Sequence, residues 1–484
     1  MWWVLRWCRD RAHSGPGQGG TRPGERGGRP SGGTATERAA GPVQVHVAAG
    51  HEAETERVHV DQHRTVSGPR PTTRPHPGSG VTPGAGRERV AHSSDVTAAP
   101  PFGIYVHVPF CATRCGYCDF NTYTASELAG DASSPEGWLE AARREIALAA
   151  RTVGDRTVET VFVGGGTPSL LGADRLSAVM AAIRSEFRVA PGCEVTTESN
   201  PESTSPEFFA GIRDGGYTRV SLGMQSAARH VLAVLDRTHT PGRAVDAARE
   251  ARAAGFGHVN LDLIYATPGE TDDDLRRSAD AVLEAGVDHV SAYALIVEDG
   301  TALARRVRRG ELPAPDDDVA ATRYELLDAR LRDAGLRWYE VSNWSLPGAE
   351  CRHNLGYWRD GDWWGVGPGA HSHLAGTRWW NVKHPARWAG LLADGAVPEA
   401  GREELTPAER HTESVMLRLR LAEGMPLGLL DDGGRAAASR AAGEGLLEPA
   451  AHDAGRAVLT DRGRLLADRV VTDLLLAEEG PVRV

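Results

Sequence analysis

Residues 105–124 read YVHVPFCATRCGYCDFNTYT. Within them Cys111, Cys115 and Cys118 stand as CxxxCxxC. Three thiolates at these spacings can each bind one iron of a cubane cluster. Such clusters normally take four cysteines, so a three-cysteine loop leaves one iron without a protein ligand. That opening marks a reactive site and not a purely electron-carrying one. Two other readings compete. A disulfide framework is disfavoured, because six cysteines in 484 residues is sparse and nothing in the chain looks secreted. A Cys3His zinc site could recruit the nearby His107. Zinc sites usually arrive as two CxxC-like pairs, however, and here Cys8, Cys193 and Cys351 are isolated. Cys193 lies in an apolar-flanked strand pattern and reads as core.

The rest of the chain narrows the class. Its length suits two or three domains and a large core. A formal net charge of −11 implies no strong affinity for polyanions. No run of about 18 apolar residues occurs, so no transmembrane segment is expected. The opening MWWVLRW is apolar only up to Arg6, short of the roughly 7–15-residue core of a signal peptide. The expected compartment is the cytoplasm, which suits exposed thiolates and an oxygen-sensitive cluster.

Residues 1–98 differ in composition. They hold strings such as GPGQGGTRPGERGGRPSGGT (15–34) and GPRPTTRPHPGSGVTPGAG (68–86). Such a segment cannot bury enough apolar surface to offset its ordering entropy, and reads as a disordered low-complexity extension. Read instead as a basic arm for nucleic acid, it carries arginine but no lysine. The acids Glu25, Glu37, Glu52, Glu54, Glu56 and Asp61 weaken that reading. A third reading is a mis-assigned start. The single lysine, Lys383, against a large excess of arginine suggests a GC-rich gene, and no Met falls between Met1 and Met180.

From Gly103 the pattern is regular. Short β-branched runs (IYVHV, 104–108; TVFVGGG, 160–166; EVTTE, 194–198; RVSLG, 219–223; HVNLDLIY, 258–265; HVSAYALI, 289–296) alternate with amphipathic stretches rich in Ala, Arg and Leu. Gly215–Gly216, Gly255 and Gly286 fall where helix C-caps are expected. Six strands, each followed by a helix, imply an α/β fold with a parallel sheet and right-handed crossovers. Chemistry in such a sheet sits at the strands' C-terminal ends. The cysteine loop follows the first strand directly. The same edge collects GGGTP (164–168), Glu198, Gln225 and Asp262. Glycines there would let backbone approach a ligand and offer N–H groups to it. The acid runs Asp272–Asp274 and Asp316–Asp318 precede helical patterns and read as first-turn acids, not as metal sites.

CxxxCxxC after a first strand, followed by GGGTP, resembles the radical SAM superfamily, in the branch of oxygen-independent coproporphyrinogen III oxidase. The likeness is greatest to the HemW-type heme chaperones and runs from about Gly103 to near the C-terminus. It implies a partial (β/α)6 barrel. It implies a 4Fe–4S cluster on Cys111, Cys115 and Cys118, with S-adenosylmethionine on the open iron. By the same resemblance Tyr105, Gly165, Gly166, Thr167, Glu198, Gln225, Arg237 and Asp262 contact S-adenosylmethionine. Arg237 carries no independent signal. The protein's task would be binding, orientation and exclusion of water and oxygen.

Two features separate chaperone from oxidase. The oxidase is expected to carry a further cysteine two residues after the third, but Cys118 is followed by Asp119 and Phe120. And HNLGYW, residues 353–358, matches the HNxxYW motif associated with heme in the chaperones. The resemblance therefore implies heme as a cofactor, near His353, Asn354, Tyr357 and Trp358. It also implies an unidentified heme-acceptor protein as partner. Imidazole is a common axial ligand, and Tyr357, Trp358, Trp363 and Trp364 offer flat apolar area. The plainer reading is an aromatic core with His353 bonded to backbone. Cys351, His371 and His373 compete as ligands. The alternative function is the oxidase itself, decarboxylating coproporphyrinogen III to protoporphyrinogen IX.

The expected division is residues 1–98 as extension, 99–300 as radical SAM core, 301–400 as a connecting α/β region with the HNxxYW motif, and 401–484 as a smaller α+β, winged-helix-like domain. Residues 337–344 (RWYEVSNW) read as one strand. Residues 401–484 hold more acids than bases, so packing or substrate cover is favoured there over DNA binding. No nucleic-acid partner is expected, and transient membrane association is left open.

Overall fold

A computed structural model describes residues 100–128 and 133–478. The expectations for residues 1–98 lie outside the described residues.

Six strands run parallel in sequential order: β1 (Phe102–Val108), β2 (Thr157–Gly165), β3 (Arg188–Ser199), β4 (Arg219–Gln225), β5 (His258–Tyr265) and β6 (His289–Ala294). Between them lie α1 (Pro135–Val153), α2 (Gly172–Glu186), α3 (Pro206–Asp214), α4 (Arg229–Val234), α5 (Arg243–Ala253) and α6 (Asp272–Glu284). This is the expected partial barrel.

The local signals act as their chemistry dictates. Pro135 opens α1 behind Ser134, whose hydroxyl accepts from the Gly137 N–H. Thr271 and Asp274 form a reciprocal capping box at the start of α6, which accounts for the Asp272–Asp274 run. Gly216, Gly255 and Gly286 take positive φ just beyond three helix ends.

Along β1, Phe102, Ile104, Val106 and Val108 face the helices and are buried. The alternate residues Gly103, Tyr105 and His107 face the other way, into a lumen.

The chain continues through α7 (Ala302–Arg308), α8 (Asp317–Asp333), β7 (Arg337–Glu340) and β8 (Asn343–Ser345). The segment expected as one strand is therefore a hairpin on the β6 edge. Its turn forms because the Glu340 carboxylate accepts from the Ser342 N–H (3.3 Å) and from the Asn343 amide.

Next come α9 (Arg352–Trp358), β9 (Asp362–Val366), β10 (His371–Leu374), β11 (Thr377–Asn381), α10 (Pro385–Ala393) and β12 (Glu399–Glu404). Strand β9 pairs in parallel with β1 and extends the sheet away from the barrel, in the order β12-β11-β10-β9-β1. These strands were not legible in the sequence. They are short, and DWWGV and HSHL lack β-branched runs.

Buried Glu145 of α1 joins this extension to the barrel. It accepts from the Gly367 N–H (2.8 Å), the Asn381 amide (2.7 Å) and the Trp388 indole (2.8 Å).

The last part holds α11 (Pro407–Arg418), β13 (Met425–Pro426), α12 (Asp432–Gly443), α13 (Pro449–Asp453), β14 (Arg456–Ala457), α14 (Asp461–Leu465) and α15 (Ala467–Glu478). They enclose a second core that includes Val415, Leu419, Met425, Leu447 and Leu474. Arg464 binds Asp328 of α8 through both terminal nitrogens, at 3.0 and 3.1 Å, and lies over the Trp338 ring at 4.8 Å.

Glu145→Ala would leave three buried donors unpaired. Each orphaned donor costs about 1–3 kcal/mol, so a loss of roughly 3 kcal/mol or more is expected in chemical denaturation. Glu145→Gln, which keeps an acceptor, should lose less. A loss under about 1 kcal/mol for the alanine variant would contradict this account.

Candidate functional site

The site begins with the loop after β1. Its neck is closed by two backbone bonds, Cys111 N–H to Tyr123 O (2.9 Å) and Tyr123 N–H to Pro109 O (2.7 Å). Its tip is held by Gly116, whose N–H donates to Leu235 O (3.3 Å) and whose carbonyl accepts from the Leu303 N–H (2.8 Å). A Cβ at Gly116 would stand 2.2 Å from the Asp236 carboxylate. The return leg is tied to the sheet extension by Asn121, which donates to Pro368 O (3.0 Å) and Lys383 O (2.9 Å).

The triple glycine meets this loop side-on. A Cβ at Gly166 would lie 2.5 Å from Phe110 O and 3.0 Å from Cys111 Sγ. A Cβ at Gly164 would lie 2.8 Å from Glu198 Oε2, and Gly165 has φ +111°. The N–H groups that the sequence offered to a ligand are already engaged. Gly165 donates to Glu198 (3.0 Å), Gly166 to Val108 O (2.8 Å) and Thr167 to Phe110 O (2.7 Å). The Thr167 hydroxyl points at Cys111 Sγ from 3.8 Å. The glycines thus permit close packing; they do not supply an open cradle.

Burial pushes the Cys111 thiol up, opposed by the hydroxyls of Thr167 and Thr122, and burial pushes Cys118 up to about 12. Arg237 donates to Cys115 Sγ at 3.2 Å and to Gly223 O at 3.4 Å. This contact sets a positive charge beside the middle sulfur of the loop. Among the described residues no three His, Cys, Asp or Glu side chains converge on a single-ion site. The zinc reading also loses His107, which bonds Asn121 O through Nε2 (2.9 Å) and the Tyr105 hydroxyl through Nδ1 (3.0 Å).

Strand alternation supplies the walls of the lumen. Ser221 and Asn260 bond the Asp262 carboxylate, at 3.2 and 2.6 Å. Burial raises the Asp262 carboxyl, while these bonds and the Arg237 charge oppose the shift. Burial, then the charge of Asp262, pushes Glu198 up to about 7, opposed by the Gly165 N–H. Tyr105 shares this space: burial and the Glu198 charge raise its phenol. Gln225, buried, ends β4 at φ +66°, an uncommon conformation for a residue other than glycine. The structure therefore brings Cys111, Cys115, Cys118, Tyr105, Gly165, Gly166, Thr167, Glu198, Gln225, Arg237 and Asp262 to one end of the lumen.

The floor was missed in the sequence. Glu194 pairs with buried Arg219 (3.3 Å) and accepts from the N–H groups of Arg352 (3.1 Å) and His353 (2.9 Å), seating the start of α9. Arg219 also donates to Ala349 O at 2.6 Å. His289 bonds Asn260 (2.7 Å) and Tyr339 (2.8 Å), and burial holds it neutral. The signal was present: parallel strands covered on both faces normally read as apolar runs. Here Glu194, Arg219, Asn260 and His289 interrupt them.

The HNxxYW segment belongs to this floor. His353 Nδ1 bonds the Thr160 hydroxyl (2.8 Å) and Nε2 bonds the Tyr357 hydroxyl (2.6 Å). Its ring stacks on Phe162 at 5.4 Å, and burial pushes its pKa down to about 3. Tyr357 packs edge-on to Trp363 at 4.6 Å. Trp358 lies in the second core, away from His353, and Asn354 is half-buried. In this arrangement neither nitrogen of His353 is open to a metal.

The Radical SAM superfamily matches residues 105–282. The heme chaperone HemW of Mycobacterium tuberculosis is 63% identical over 375 residues, covering 78% of this chain and 95% of that protein. The chain belongs to the HemW heme chaperone family. The HemW of Lactococcus lactis is 32% identical over 381 residues, 78% of this chain and 98% of that protein. In fold, HemW-family membership agrees with a solved structure of coproporphyrinogen III oxidase (HemN) from Escherichia coli. The two align with a TM-score of 0.67 at 21% identity, covering 79% of this chain and 91% of that one. As a radical SAM protein, this HemW-family chain has a 4Fe–4S cluster and S-adenosylmethionine as cofactors. The loop thiols and the Arg237 contact fit such a cluster.

Gly166→Ala should fold but lose most of its iron on anaerobic reconstitution, because the new methyl displaces the Cys111 loop. Iron content equal to wild type would refute this. Glu198 gives a pH signature in the cofactor-free protein. Its folded pKa lies above its ordinary 4.5, so the stability it contributes is complete below about pH 4.5 and is lost as pH rises through about 7. The stability of wild type relative to Glu198→Gln should therefore fall across that window. A flat difference would show that Glu198 is not held protonated.

Proposed function

We propose that this protein is a heme chaperone that binds heme and transfers it to an acceptor protein, while carrying a 4Fe–4S cluster and S-adenosylmethionine. The observation that carries the reading is 63% identity spanning 95% of a heme chaperone HemW. Cys111, Cys115 and Cys118 would hold the cluster. Tyr105, Gly165, Gly166, Thr167, Glu198, Gln225, Arg237 and Asp262 would surround S-adenosylmethionine. When bound, the cluster can supply an electron to the sulfonium. The chain's own residues keep that site dry and charged in the right places. Arg237 holds positive charge against Cys115 Sγ, and Glu198 and Asp262 present carboxyls to a cationic nucleoside. The ring of Tyr105 stacks on Phe162, which in turn stacks on His353 of the floor.

The division of the chain into a radical SAM core (99–300), a connecting region (301–400) and a winged-helix-like cover (401–484) belongs to the same proposal. So does a cytoplasmic location. Among the described residues no helix is long and apolar enough to cross a membrane. The acceptor is a protein of unassigned identity, and no nucleic acid is part of the reading. The absence of a cysteine two residues after Cys118, where Phe120 stands, supports a chaperone over a decarboxylase.

Anaerobic reconstitution with iron and sulfide, followed by hemin titration, tests this. A cluster whose spectrum changes on adding S-adenosylmethionine, together with saturable hemin binding, is the expected result. Carbon dioxide release from coproporphyrinogen III would overturn the reading in favour of the oxidase.

A further inference from the structure

Tyr105 and His107 stand two residues apart on β1 and share its lumen face. Tyr105 is half-buried, whereas His107 is 6% exposed. The imidazole is held from two sides. A Cβ at Gly165 would stand 2.6 Å from His107 Cε1 and 2.7 Å from Nδ1, and a Cβ at Gly367 would stand 3.1 Å from His107 Cβ. Both glycines take positive φ, +111° and +112°. A side chain at either position would displace the ring. The imidazole is therefore fixed between the end of β2 and the turn that follows β9.

Each ring nitrogen has one partner. Nε2 lies 2.9 Å from the backbone carbonyl of Asn121, and Nδ1 lies 3.0 Å from the Tyr105 hydroxyl. A carbonyl oxygen can only accept. Nε2 must therefore carry a proton, because a bare nitrogen there would set lone pair against lone pair. Burial lowers the His107 pKa, opposed by the Asn121 bond, so the ring is neutral and holds one proton, not two. Nδ1 is then bare and accepts from the Tyr105 hydroxyl. A phenol has a single proton to give. With that proton committed to His107, the Tyr105 oxygen offers only lone pairs to the lumen. Burial and then the Glu198 charge raise the Tyr105 phenol, so a carboxyl shares this space. A ligand group seated between them must donate a proton or carry positive charge.

We propose that His107 is a positioning residue for S-adenosylmethionine, fixing the Tyr105 oxygen as an acceptor for a cationic group of that ligand. The proposal rests on the reading of this space as the S-adenosylmethionine site. The ligand carries two such groups, its sulfonium and its α-ammonium. His107 acts on either one only through the phenol. Through Asn121 it also ties that phenol to the return leg of the cysteine loop, which the Asn121 amide fastens to Pro368 O and Lys383 O.

The tautomer is tested in the cofactor-free full chain. Nitrogen NMR of ring-labelled histidine near neutral pH, with the His107 signals assigned by their loss in His107→Gln, should show a protonated Nε2 and a bare Nδ1. A protonated Nδ1 would overturn the proposal. Affinity is then measured by equilibrium dialysis on anaerobically reconstituted chains, with iron content as the control for an intact loop. His107→Gln keeps a donor for Asn121 O but loses the acceptor for Tyr105. It should weaken S-adenosylmethionine binding roughly tenfold, as should Tyr105→Phe. His107→Asn, which keeps an acceptor near Nδ1, should bind more tightly than His107→Gln. The double variant Tyr105→Phe/His107→Gln should bind no more weakly than Tyr105→Phe alone, because the histidine acts through the phenol. Losses that add in the double variant would reduce His107 to packing and overturn the proposal. S-adenosylhomocysteine keeps the ammonium and lacks the sulfonium charge. Equal losses for both ligands in Tyr105→Phe assign the ammonium, and a loss for S-adenosylmethionine alone assigns the sulfonium; no loss for either overturns the proposal. Failure of the reconstituted wild type to bind S-adenosylmethionine would instead remove the reading on which the proposal stands.

Discussion

Backbone lies against backbone where the GGGTP turn meets the cysteine loop. Gly166 and Thr167 donate to the carbonyls of Val108 and Phe110, at 2.8 and 2.7 Å, and no atom fits between. This contact fixes where Cys111 can stand relative to the end of β2. Through the Gly165 N–H it also fixes Glu198. The loop has further anchors at Gly116 and Asn121, but those hold its tip and its return leg. The glycine turn is what sets the first thiol and the first carboxyl in one frame.

A second constraint follows from putting polar groups inside a parallel barrel. Buried polar atoms must be paired or they cost stability. Many of the lumen's polar groups are paired in a chain that runs from Asp262 through Asn260, His289 and Tyr339 to the backbone of Cys351. Glu194 and Arg219 close it from the other side. Helix α9 is therefore seated by carboxylate and guanidinium as much as by its aromatic residues. His353 is one of the bonded members of that floor, and this explains its depressed basicity without any ligand.

Much of this was legible in the sequence. CxxxCxxC after a β-branched run placed the cluster loop at a strand's C-terminal end, and six strand–helix alternations gave the parallel barrel. Glu198 and Gln225 were found because they close β3 and β4, and Asp262 because it is an acid inside the apolar run of β5. Three things were not legible. The hairpin at Val341–Ser342 depends on a glutamate bonding forward to its own turn, which periodicity does not register. The extension β9–β12 is built from short Trp- and Gly-containing strands whose pairing with β1 is remote in sequence. The glycine turn was read as a possible ligand cradle, because sequence shows that N–H groups exist but not what already occupies them.

Strand β1 sits near the middle of the finished sheet, yet one of its two neighbours is made very late. Phe102 lies beside Asp362. A ribosome must therefore release most of the barrel before that edge can close. Until then β1 presents an open hydrogen-bonding side next to the cysteine loop. Long-range pairing of this kind is slow. The return leg of the cysteine loop, tied by Asn121 to Pro368 and Lys383, settles only after those residues have been made, and until then the β1 edge is open to mispairing.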